Sequence, residues 1–327
     1  MIFSMKKWSY AAIAGLAFSV ISTTAIAAFP ERSVKLVIPY TPGGSADMLS
    51  RLLADNMSKS LGQPVIVENK PGASTRIAAQ HVARSNPDGY TLFLASNSSM
   101  VLNPLLYKDV GYDAEKDYSL IGIATEMPLV VVTNKDVPAN TLSEFIAYAK
   151  EKKGDLNYAS IGLGNPLQLA TQLLISGTDM DLTHIAYNGS SPALMSLAAN
   201  DTQLMVDGII TSLPFIQDGR LKALAVGSSE RLAVLPDVPT VSEAAVPGYQ
   251  AATWFGVAAP AATPEDRKQR LQEALNIAMQ DEGIVEKMQS GGMIMQKPRT
   301  QEEIDAFLER DRKQWRAVVE ENNISLD

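Results

Sequence analysis

The chain has 327 residues, 46% of them hydrophobic and 20% charged, enough for a sizeable core and near the length at which chains divide into two lobes. Its 36 acidic residues outnumber 28 basic ones, so it carries no electrostatic footprint for nucleic acid. The absence of cysteine excludes disulfides, thiolate metal sites and cysteine nucleophiles.

The first residues read as an export signal. Lys6 and Lys7 precede the apolar stretch Tyr10 to Ile21, followed by Ala25-Ile26-Ala27, a small-x-small cleavage pattern. Cleavage after Ala27 or Ala28 is expected, which makes residues 1–28 a signal peptide; the alternative is a retained anchor, for which the stretch is short of the about 20 residues of a bilayer span. The mature chain then has 26 basic against 36 acidic residues, a formal charge of −10. An anionic ligand would have to be held by local N–H groups or an occasional Arg against that field.

Val34-Lys35-Leu36-Val37-Ile38 is the first strand candidate, and Met48, Leu49, Leu52, Leu53 and Met57 fit the helical period. Between them runs Pro39-Tyr40-Thr41-Pro42-Gly43-Gly44-Ser45-Ala46-Asp47. Glycines bring backbone N–H groups close to a ligand, and the first helical turn leaves more of them unpaired at a partly positive end, so an anion is a natural guest. The other reading is an ordinary βα turn capped by Ser45 or Asp47. Neither a P-loop nor a dinucleotide fingerprint is present, and nothing in the chain calls for a cofactor.

The pattern continues as βαβαβ through Val65–Glu68, a helix around Ile77 to Ala83 and Tyr90–Ala95, which predicts a mostly parallel sheet flanked by helices. A second series begins at Met127–Val132 and runs through a helix at Leu142–Lys152, a strand at Asn157–Ser160, a helix at Leu167–Ser176, His184–Tyr187, a helix at Ala193–Ala199, Gln203–Val206 and Lys222–Val226. Trp254–Pro260 carries the chain back. The expected fold is α/β with two lobes, residues 29–126 with 254–327 and residues 127–253. The last segments, Pro264–Met279, Gly283–Gln289 and Gln301–Asn322, read as helices, and Thr300 with Glu303 forms a capping box.

The first turn has a partner in the second series. Strand Leu156–Ser160 runs into Ile161-Gly162-Leu163-Gly164-Asn165-Pro166, with Asn165 placed as N-cap and Pro166 at the first helical position. One such turn in each lobe can grip an anion across a cleft, at the carboxyl ends of the strands where ligands of open α/β sheets bind. Further candidates at strand ends are Ser96, Asn97 and Ser98, then Asp207, Thr211 and Ser212, and the turn Tyr187-Asn188-Gly189-Ser190. Each is equally a turn former or cap.

These residues resemble the Bug-type substrate-binding proteins of tripartite tricarboxylate transporters, bacterial periplasmic receptors. The likeness rests on collinear runs over the whole mature chain, including residues 39–47, Val67-Glu-Asn-Lys-Pro-Gly-Ala73, Pro87-Asp-Gly-Tyr-Thr-Leu92, Tyr187–Ala193, Gly219–Ala225, Leu235–Thr240 and Trp254–Pro260. It implies a periplasmic-binding-protein-like clamshell, a small carboxylate ligand held by residues 42–47 and 160–166 with bridging waters, and delivery to a membrane permease. A monomer in the periplasm is expected, binding a di- or tricarboxylate, aliphatic or aromatic. One departure stands out: where the family continues Pro-Gly-Ala with glycines, this chain has Ser74-Thr75-Arg76. Arg76 is expected either to pair with a second ligand carboxylate or to be an ordinary surface residue.

An exported hydrolase lacks its parts: two histidines, His81 and His184, and no Gly-x-Ser-x-Gly, His-Glu-x-x-His or mature-chain Ser-x-x-Lys motif. A ligand sensor with a membrane signalling partner is the closer alternative.

Overall fold

A computed structural model describes residues 29–321 and 324–326; the expected signal peptide, its cleavage site and Asn322 lie outside these. The chain begins β1 (Val34–Ile38), α1 (Ser45–Leu61), β2 (Val65–Asn69), then a short turn at Ala73–Thr75 leading into α2 (Arg76–Ala83) and β3 (Thr91–Ser96). A π-helical segment, Ser98–Leu102, passes into α3 (Asn103–Leu106) and is followed by the long β4 (Tyr118–Asn134). The next stretch comprises α4 (Leu142–Lys152), β5 (Leu156–Ser160), α5 (Pro166–Thr178), β6 (Leu182–Ala186), α6 (Ser190–Ala198), β7 (Leu204–Gly208), α7 (Ile209–Gln217), β8 (Leu221–Val226) and α8 (Val241–Ala244). The chain closes with β9 (Ala252–Pro260), α9 (Glu265–Met279), α10 (Glu282–Ser290), β10 (Ile294–Met295) and α11 (Gln301–Glu321).

Local chemistry sets these boundaries. In α1 the residues Ala46, Leu49, Leu53 and Met57 recur on one buried stripe, and Gly62 ends the helix in a left-handed conformation that returns its N–H to Ser58. Thr141 caps α4 through the Glu144 N–H, and the expected reciprocal bonds between Thr300 and Glu303 open α11.

The strands fall into two groups of the same topology. The order β2-β1-β3 is parallel, with β9 antiparallel beside β3; the order β6-β5-β7 is parallel, with β4 antiparallel beside β7. The turns after β1, β2 and β3 therefore correspond to those after β5, β6 and β7. β4 belongs to both groups: its first part pairs with β9 and β10, its last part with β7 and β8. The sequence pattern starts this strand only at Met127. The structure starts it at Tyr118, because shifts of register around Gly122 and Thr125 break the period-two pattern without ending the strand.

β4 and β9 lie side by side where the two groups meet, with Glu126 opposite Trp254 and Pro128 opposite Ala252. Strand alternation gives each a front and a back. Met127 and Phe255 face the cleft, Thr253 borders both sides, and Glu126, Pro128, Ala252 and Trp254 line a cavity of about 440 Å³ behind, bordered by α11.

Candidate ligand-binding cleft

The turn between β1 and α1 is held by its own aspartate. The Asp47 carboxylate accepts the Gly43 N–H at 3.1 Å, both arms of Arg51 at 2.9 Å and the Asn69 amide at 2.9 Å. Burial opposes its charge most strongly, but the bonds from Arg51, Asn69 and Gly43 outweigh it and hold the carboxyl below its usual range. Asp47 thus shapes the turn rather than capping α1 from within. The N-cap is Gly44, which has no side chain to offer, so the first turn of α1 opens uncapped toward the cleft.

The turn after β5 differs. Asn165 accepts the N–H groups of Leu167 at 2.9 Å and Gln168 at 3.1 Å, so the expected cap is present and consumes the donors of α5. Gly162 and Gly164 both have positive φ, 127° and 68°, which glycine permits and this tight path requires.

The turn after β6 supplies a second uncapped helix start. Gly189, at φ 140°, is the N-cap of α6 and again offers no side chain. Its neighbour Ser190 donates to the fully buried Asp207 at 2.6 Å, and Thr211 and Ser212 donate to the same carboxylate at 2.7 and 3.0 Å. Burial pushes the Asp207 carboxyl up, partly countered by these hydroxyls. A Cβ on Gly189 would overlap the Thr41 hydroxyl, and one on Gly43 would stand 3.6 Å from Ser191 Oγ, so the β1 and β6 turns touch across the cleft.

Between these turns lies a small cavity of about 30 Å³, bounded by Gly44, Ser45 and Ala46 on one side and by Ile161, Leu167, Gly189 and Ser190 on the other. Tyr40, Ile161 and Gly189 also border a neighbouring cavity of about 310 Å³. Its walls are Pro71 to Thr75 and Tyr107 facing Gly162, Leu163, Asn165 and Tyr187, with no acidic or basic residue among them. Ser74 reaches across to donate to the Leu163 carbonyl.

The expected site residues divide accordingly. Tyr40, Gly44, Ser45 and Ala46 line the small cavity, and Tyr40, Gly162, Asn165 and Tyr187 the larger one. Pro42, Gly43, Asp47, Ser160 and Gly164 form the turns without lining either. Ser96 and Asn97 are fully buried: Ser96 Oγ bonds the Tyr40 hydroxyl at 2.9 Å, and Asn97 receives the Thr253 hydroxyl at 2.6 Å. They and Asp207 support the walls from behind. Arg76 starts α2 with its guanidinium over Tyr107, outside the lining. Sequence reading named Thr41, Ile161 and Ser74 only within their turns and did not name Leu167 or Tyr107 as site residues; the shared βα topology of the two strand groups brings them together. It named Ser190 within its turn but gave that turn no equal weight with the one after β5.

Among the described residues no helix is long and apolar enough to cross a membrane. The sequence profile described as tripartite tricarboxylate transporter family receptor matches residues 49–324. BugT of Bordetella pertussis is 32% identical over 320 residues, 97% of this chain and 96% of its own length. Among solved structures, a Rhodopseudomonas palustris protein with adipate superposes with a TM-score of 0.87 at 31% identity, covering 91% of this chain and 99% of that one. MatC from Rhodopseudomonas palustris, with bound malate, gives 0.85 at 33% identity over 89% of this chain and 100% of that one. The expected two-lobed periplasmic-binding-protein-like clamshell is therefore the fold, and the chain belongs to the tripartite tricarboxylate transporter receptor family, among its Bug-type members.

Proposed function

We propose that this chain is a periplasmic solute receptor that binds a small carboxylate in the cleft and delivers it to a tripartite tricarboxylate-type permease. Its lobes, residues 29–126 with 254–327 and 127–253, would close about β4 and β9. The observation that carries the reading is the pair of uncapped helix starts, α1 and α6, meeting at a small cavity that no acidic residue lines. A carboxylate there would accept N–H groups of Ser45 and Ala46 and the first turn of α6. The adjoining cavity, at the lower end of the roughly 300–1,000 Å³ of small-ligand pockets, would take the remainder. Relatives solved with adipate and malate agree with a dicarboxylate.

Helix ends alone do not suffice. Each contributes about 0.3–1 kcal/mol, up to about 2 when partly buried, against the roughly −8 kcal/mol of micromolar binding. Exclusion of water by the touching β1 and β6 turns and direct hydrogen bonds must supply the rest.

Catalysis is not part of the proposal. Ser160 Oγ lies 2.6 Å from His184 Nε2, within reach of a nucleophile and base, but Ser160 is fully buried, borders neither cavity and also bonds Gly162. Burial lowers the His184 pKa, and no acid orients its other ring nitrogen among the described residues.

A thermal-shift screen of mature protein against mono-, di- and tricarboxylates, aliphatic and aromatic, tests the reading. A ligand at 100 times its Kd stabilises by about 2.7 kcal/mol. No shift with any carboxylate, alongside a shift with a neutral sugar or amine, overturns it. Lost ligand uptake in a deletion strain separates a transport receptor from a sensor.

A further inference from the structure

A cation stands against two residues of the larger cavity's wall. Arg76 is half-buried; its Nε donates to the Ala73 carbonyl at 3.2 Å and its guanidinium carbon stands 3.8 Å above the centre of the Tyr107 ring. Both Ala73 and Tyr107 line the cavity. No carboxylate lies within ion-pair distance of Arg76 among the described residues, although the chain is acidic overall.

The backbone leading to Arg76 is strained in a way that fixes its place. Gly72, Ala73, Ser74 and Thr75 have successive φ values of 126°, 46°, 49° and 77°, a left-handed run in which three residues are not glycine. Asn103 restrains it by donating to the Ser74 carbonyl at 2.7 Å and to Thr75 Oγ1 at 3.1 Å. The run ends by laying the guanidinium on Tyr107, itself part of the cavity wall, where the ring holds one face and the outer N–H groups are unclaimed among the described residues.

We propose that Arg76 makes this receptor selective for dicarboxylates: one carboxylate sits at the α1 turn, the chain between crosses the Tyr-lined cavity, and the second is taken bidentately by Arg76. This rests on the carboxylate reading above. A planar guanidinium matches a carboxylate edge to edge, and a rigid ring behind it lowers the entropy lost on pairing.

The test measures Kd by calorimetry for two matched pairs, hexanoate with adipate and benzoate with terephthalate, on wild-type mature protein and on Arg76→Ala. Wild type should bind the diacid of at least one pair about ten-fold or more tightly than its monoacid. Arg76→Ala should erase that preference by weakening the diacid about ten- to a hundred-fold while leaving the monoacid unchanged. Equal losses for both acids, an intact preference in the variant, or no preference in wild type overturns the proposal. If neither acid of either pair binds wild type, the proposal is overturned, while the carboxylate reading falls only if the thermal-shift screen also finds no carboxylate that binds. Should Arg76→Ala melt markedly lower without ligand, Arg76→Gln, which keeps an alkyl stem on Tyr107, is judged by the same outcomes.

Discussion

Asp47 takes the N–H of Gly43 at 3.1 Å, so a residue inside the binding turn is bonded to the turn itself. Asp47→Ala should destabilise the protein by about 1–3 kcal/mol through the donors it strands and weaken carboxylate binding as the turn relaxes. Denaturant melts and titration calorimetry measure both. The folded pKa of Asp47 is lowered, so its contribution is fully present above the unfolded value near 3.9 and is lost as pH falls through the folded value. Asp47→Asn should remove that part of the acid sensitivity below about pH 4.

Asp207 carries the opposite sign. Its pKa is raised, so the stability it contributes is fully present below its unfolded value and is lost as pH rises through the folded value. Asp207→Asn should change stability by less than about 1 kcal/mol, since it can accept from Ser190 and donate to Thr211 or Ser212. Asp207→Ala, which leaves the Ser190 and Ser212 hydroxyls without an acceptor while Thr211 keeps the Gly208 carbonyl, should cost about 2 kcal/mol or more. Chemical denaturation of the two variants checks the contrast.

Gly189→Ala places a methyl group against Thr41 across the cleft. Ligand affinity should fall at least ten-fold, beyond what the local backbone strain of about 1–3 kcal/mol does to melting. Adding Thr41→Ala should recover part of the affinity and none of the strain. No recovery of affinity would show that the loss comes from backbone strain and not from the contact between the two turns.

Asp311, on α11, accepts the Trp254 indole N–H at 2.7 Å, and burial raises its pKa to about 6. A carboxyl that binds its proton more tightly when folded favours the folded state below about pH 4 and progressively loses that advantage up to about pH 6. Stability should therefore rise on acidification from pH 7 toward 4, by up to about 3 kcal/mol from this group. Asp311→Asn should flatten the profile over that window in melts followed by circular dichroism.

Much of this was legible from the chain. The turns at residues 39–47 and 160–166, the cap at Asn165 and the box at Thr300 follow from residue types whose preferences are local. What sequence could not show was where neighbours direct a side chain. Asp47 looked like a ligand contact or a helix cap because Arg51, one helical turn on, and Asn69, on β2, come together only in the folded turn. The early half of β4 was lost because Gly122 and Thr125 interrupt its alternation, while pairing with β9 on one side holds it straight. The matching role of the β6 turn needed the topology of both strand groups, which no local pattern carries.

β4 passes from one strand group to the other without a loop. Such a joint has no slack to absorb an added residue: a single insertion near Met127 would exchange front and back for everything downstream, turning Met127-type positions away from the ligand and Glu126-type charges into it. The parity of this strand, more than the identity of its residues, is what keeps the cleft floor apolar.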